Sequence, residues 1–167
     1  MTSDTIELFD RVRAQLSAAE KPFELAATAT DADIEAAEET LGITFPPSYR
    51  LFLTRIGGLA IPPHLGVVHH FVGLSPLPPD GKGVVDHTLA ARTERKLPPH
   101  LLVVGMGADF QEWFCLDVNR EGEDGEYPVL LFDARDNALD QQFYPDFGQM
   151  LREVLGFVEE TLSTPLD

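Results

Sequence analysis

The sequence predicts an α+β fold, and three observations carry that expectation. Apolar residues recur at helical spacing through the first 57 residues, runs rich in β-branched and aromatic residues occupy 101–132, and a capped amphipathic stretch closes the chain from Asp146. Helices and strands are segregated along the chain instead of alternating one for one, which argues against βαβ repeats. There is no internal repeat and no break in composition, so one domain over residues 1–167 is expected.

Each element has a local reason. In 5–19, Ile6, Phe9, Val12 and Leu16 share a helical face, and Lys21-Pro22 stops the helix. Thr30 is a natural N-cap for the next helix, with Asp31 and Asp33 in a first turn that the helix dipole favours. Ile34, Ala37 and Leu41 line its buried face, and Gly42 ends it because glycine accepts a left-handed conformation. Pro46-Pro47 opens a third helix, with Tyr49, Phe52, Leu53 and Ile56 on one face and Gly57-Gly58 as its terminator.

The run 66–74 (GVVHHFVGL) reads as a strand, 76–83 as a proline- and glycine-rich loop, and 84–96 as a helix ended by Leu97-Pro98-Pro99. Strands follow at 101–105, 113–118 and 128–132, the last two joined as a hairpin through a long tip at 119–127. Asp146 and Gln149 have capping-box spacing. They begin a helix that buries Phe147, Met150, Leu151, Val154, Val158 and Leu162.

A hydrophobic fraction of 44% with 24% charged residues is that of a globular protein, which rules out general disorder. No apolar run reaches the ~18 residues of a membrane span. The start Met1-Thr2-Ser3-Asp4 lacks the basic region of a signal peptide, and the lone Cys115 cannot form an internal disulfide, so a cytoplasmic protein is expected. Net charge is −16 and unevenly spread, with 15 acids against 3 bases after residue 108. Such a field repels nucleic acid and attracts basic proteins, although acidity also serves plain solubility.

The stretch 30–59, TDADIEAAEETLGITFPPSYRLFLTRIGGL, resembles the signature of the SMI1/KNR4 (SUKH) family. The matching elements are Glu38, Leu41-Gly42, Phe45-Pro46, Tyr49, Phe52-Leu53 and Gly57-Gly58. Leu97-Pro98-Pro99 before LLVVG, then FCLD at 114–117, PVLLFD, and the Phe147–Leu151 spacing extend the likeness to roughly residues 25–160. The resemblance implies a mixed, largely antiparallel sheet packed against helices, no shared catalytic set, and a function in protein recognition. Bacterial members include immunity proteins that bind a toxin, often a nuclease, and fungal relatives act as scaffolds. The expectation is therefore a non-enzymatic immunity protein, with a multi-partner regulatory scaffold as the alternative. Glu38, Gly42, Pro46, Tyr49, Phe52, Gly57 and Gly58 are its structural positions.

The residues themselves offer little for catalysis. There is no G-x-S-x-G, P-loop or G-x-G-x-x-G, and Gly105-Met106-Gly107 lacks the rest of a dinucleotide fingerprint. Cys115, flanked by Phe114 and Leu116, reads as a buried small hydrophobe. His69 and His70, as strand neighbours, should point to opposite sides, and His64, His87 and His100 lack partners at ligand spacing, so no zinc site is expected. Asp117-x-Asn119-x-Glu121-Gly122 imitates the start of a calcium loop, but Pro128 stands where its bidentate glutamate belongs. No metal and no cofactor are expected. Glu38 shares the inward stripe of Ile34 and Leu41, so it requires a hydrogen-bond donor.

What remains is acidity. Asp109, Glu112, Glu121, Glu123, Asp124, Glu126, Asp136 and Asp140 are the candidate contacts for a basic protein partner, and neither nucleic acid nor membrane is expected. Glu121, Glu123, Asp124 and Glu126 crowd one hairpin tip, where mutual repulsion should gain nothing for folding.

Overall fold

In a computed structural model, the described residues are 3–62, 65–77 and 81–163. The chain's first two residues, His64 and the middle of the expected 76–83 loop lie outside them. The helices are α1 (Ser3–Ala18), α2 (Asp31–Leu41), α3 (Pro47–Arg55), α4 (Val84–Glu94) and α5 (Phe147–Ser163). The strands are β1 (Glu24–Ala26), β2 (Gly58–Ala60), β3 (His70–Phe71), β4 (Leu101–Met106), β5 (Glu112–Asp117), β6 (Val129–Asp133) and β7 (Ala138–Tyr144).

The seven strands form one sheet in chain order, β1 to β7, and each neighbouring pair is antiparallel. The α+β class is as expected, but the parallel component of a mixed sheet does not occur among the described strands. Spatial order equals chain order, so each strand returns beside its predecessor.

Alternation along β4–β6 creates two cores. Leu102, Val104, Phe114, Leu116 and Val129 face the larger one, built with α1, α2, α3 and α5. Leu101, Val103, Cys115, Leu130 and Phe132 face the smaller one, which Ala91 of α4 and Leu97 cover. Cys115 is fully buried there, and burial pushes its thiol far up. The larger core centres on stacked and edge-on rings of Tyr49, Phe52, Phe71 and Phe147. Burial of Tyr49 is tolerable because its hydroxyl donates to the Val72 carbonyl at 2.6 Å.

The signature helices form as their local signals dictate. Thr30 Oγ1 accepts from Asp33 N–H and Asp33 accepts from Thr30 N–H, a complete capping box. The Thr30 N–H holds the Asp33 carboxyl below its usual range. Gly42 takes φ +67 at the end of α2. Gly57, at φ +97, does more than end α3: a Cβ there would sit 2.5 Å from the carbonyl oxygens of Ala26 and Ala27. Glycine is required where β2 crosses this close to the backbone after β1.

Three strands exceed the expectation. β1 and β2 have three residues each, too few to display a period of two. β7 (ALDQQFY) is a polar edge strand interrupted by bulges against β6. The expected strand 66–74 contracts to His70–Phe71, although His69 N–H still donates to the Met106 carbonyl and Val72 N–H to that of Val104. His69 and His70 do not face opposite sides: both rings meet Phe110 edge-on, at 5.9 and 6.3 Å. His69 precedes the regular ladder, so strict alternation does not govern it.

Candidate partner-binding site

β5 and β6 carry the candidate acids to opposite ends of their hairpin. Leu116 pairs with Val129 at the tip end and Glu112 with Asp133 at the other. The tip itself is ordered by local bonds. Asp117 accepts from Asn119 N–H at 3.1 Å, Gly122 N–H donates to Glu126 O, and Asp124 accepts from Glu126 N–H at 3.0 Å. These carboxylates therefore serve their own turn. Among the described residues no His/Cys/Asp/Glu group is arranged to hold a metal ion.

Glu126 departs from the expectation that the tip gains nothing for folding. Its carboxylate accepts from Ser48 N–H at 2.9 Å and from the Ser48 hydroxyl, at the first turn of α3. That helix opens on Pro46, which has no side chain to cap it, so its free N–H groups need an acceptor from elsewhere. Glu126 supplies it, and its negative charge suits the positive end of the helix. The sequence held half of this signal, a helix beginning Pro-Pro without a polar cap. It gave no indication of a partner 78 residues away.

Beside it, Glu38 of α2 accepts from Phe45 N–H at 2.7 Å and from Arg50 at 2.6 Å. One carboxylate thereby fixes both the α2–α3 loop and the helix after it. Tyr127 completes the clasp by donating to the Thr44 carbonyl at 2.9 Å. Burial, then the charges of Glu121, Glu38 and Glu126, hold its phenol above the usual range. The hairpin tip and the α2–α3 signature are thus one unit.

Glu121, Glu123 and Asp124 remain exposed, and no described basic residue forms an ion pair with them. The nearest base in sequence, Arg120, turns away to Gln142 on β7. At the far end the situation differs. Arg135 binds Asp133 at 2.8 Å and lies 4.0 Å from Asp109, with Glu112 also adding to its field. Its guanidinium and backbone N–H hold the Asp133 carboxyl below the usual range. Asp136 accepts from Ala138 N–H in the β6–β7 turn, and Asp140 is exposed on the edge strand. The eight candidate acids are therefore not one surface: four sit at the tip, Asp109 and Glu112 near Arg135, Asp136 in the β6–β7 turn, and Asp140 on β7.

A comparison with protein-family models matches residues 28–153 to the SMI1 / KNR4 family (SUKH-1). The chain belongs to this family. No individual curated protein matches it. The SMI1/KNR4 match takes in α2, α3, the whole of β2–β7 and the first turns of α5. It therefore covers the clasp and the tip together. Glu38, Gly42, Pro46, Tyr49, Phe52, Gly57 and Gly58 all have evident jobs in this fold: loop anchor, helix ends, core rings and close backbone approach. No helix among the described residues is long and apolar enough to cross a membrane.

Proposed function

We propose that this SMI1/KNR4 chain is a non-enzymatic protein-binding module that receives a basic partner on its β5–β6 tip, as an immunity protein does with a toxin domain. The observation that carries this reading is the unneutralised trio Glu121, Glu123 and Asp124, held outward on a tip that Glu126 and Tyr127 pin to α3 and to the loop before it. A solvated acid cluster on a floppy loop would lose side-chain and backbone freedom on binding. A tip already anchored loses less, and its field steers a basic surface toward it. Nuclease toxins need basic surfaces to grip phosphates, so they fit this chemistry. Co-expression with a basic nuclease toxin domain that this chain captures in a binding screen tests the reading. Growth should be restored by the intact chain and not by one carrying Glu121→Lys and Glu123→Lys, which keeps the Asp124 bond that orders the turn. Equal rescue by both chains would remove the tip from the mechanism.

The regulatory-scaffold alternative draws support from one feature. The acids around Arg135 form a second group at the opposite end of the hairpin, which suits a chain with more than one partner. Two proteins binding at once, one blocked by changes at the tip and one by changes at Asp109 and Glu112, would favour it.

A further inference from the structure

A second surface feature lies outside both acidic groups. Between α5 and the segment before β3 runs an open groove of about 340 Å³, lined by Gly66, Val67, Tyr144, Glu153, Val154 and Phe157. Its floor is part of the larger core, since Val154 and Tyr144 are buried, and a Cβ on Gly66 would touch Val154 at 3.4 Å. Its rims are not covered: Val67 is 61% and Phe157 53% exposed. Two phenyl-type rings and two valines thus surround a single charged group, Glu153, which the Gln149 amide holds at 2.9 Å. No described residue hydrogen-bonds the Tyr144 hydroxyl, and burial followed by the Glu153 charge raises its phenol above the usual range.

The combination selects a ligand. Glu153 is exposed at the rim, and a purely apolar side chain would leave its charge without a counter-ion. An anionic one would meet both Glu153 and the −16 field of the whole chain. A second copy of the chain carries that same charge, so self-association is opposed. An arginine or lysine satisfies each feature, because its methylene stem covers apolar surface while its head remains free for a carboxylate and for aromatic faces. We propose that the groove takes an arginine or lysine side chain from a basic protein partner, with the stem against Val67, Val154 and Phe157 and the head at Glu153. This rests on reading the chain as a binder of basic proteins, but it uses no residue of the tip.

The probe is a blocked tripeptide, acetyl-Leu-Arg-Leu-amide, with acetyl-Leu-Glu-Leu-amide as control, titrated into labelled protein and followed by NMR. The arginine peptide should shift Val67, Val154 and Phe157 saturably, and the glutamate peptide should not. Glu153→Gln should weaken binding by about fivefold, the upper range for one partly solvated ion pair. Glu24→Gln removes the same charge from β1, at the opposite edge of the sheet, and should leave the affinity unchanged. Equal weakening by both substitutions, equal binding of both peptides, or shifts that grow with protein concentration alone would each overturn the groove proposal. Shifts confined to residues 121–126 would overturn it while leaving the tip reading intact. Absence of any shift would count against both.

Discussion

Glu38 and Glu126 carry the same carboxylate as Glu121 and Glu123, a few residues away in space or sequence, yet their circumstances are opposite. The first pair is consumed by the fold, through Phe45 N–H and Arg50 in one case and Ser48 in the other. The second pair faces water with no described counter-ion. Acidity in this protein is therefore two different things, a set of internal fasteners and a free field. Composition alone merges them, and only the fasteners should register in stability.

The sharpest contrast comes from the core beneath the clasp. Phe52 is fully buried among Tyr49, Phe71 and Phe147, so Phe52→Ala should cost about 3–5 kcal/mol in chemical denaturation. A loss below about 1 kcal/mol would mean that the α3 rings do not organise this core. Next in size is Glu38→Ala, which strands the Phe45 N–H and the Arg50 charge and should cost about 1–3 kcal/mol. Glu38→Gln, which keeps one acceptor for Phe45, should recover part of that loss. If both substitutions were silent, the clasp would be an incidental contact.

Glu126→Ala belongs on the fastener side, against the simpler expectation that every tip acid is neutral to folding. Losing the acceptor at the first turn of α3 should cost about 1 kcal/mol, seen as a lower denaturation midpoint. The same substitution at Glu123, in the same tip, should change the midpoint by less than about 0.5 kcal/mol. Indistinguishable effects at the two positions would erase the division between fasteners and field.

What the sequence disclosed follows the same division. α2 and α3 were legible because their signals are local: Thr30 with Asp33, Gly42, Pro46-Pro47 and a stripe from Tyr49 to Ile56. β1 and β2 were not, because three residues cannot show a period, and β7 was hidden by its polar, bulged character. The acids of the tip were visible as a cluster, and their exposure followed from the hairpin. The bond from Glu126 to Ser48 joins two segments with no mutual signal in sequence, and the same holds for Tyr127 and Thr44. Local chemistry is written in a chain one turn at a time, whereas pairing across the fold is not.

The smallest expected effect on stability is also the most informative about function. A double variant, Glu121→Lys and Glu123→Lys, leaves Glu126 and the Asp124 acceptor of the turn in place and should melt at the same temperature or slightly higher, because it relieves repulsion between exposed like charges. Stopped-flow association of the wild-type and variant chains with a basic toxin domain captured by the wild-type chain, across a salt series, measures the central claim directly. The account predicts association slowed by roughly tenfold or more at low salt, with most of the salt dependence lost. Unchanged rates and an unchanged salt slope in a variant that folds normally would contradict it, and would leave the free acids of the tip as solvation alone.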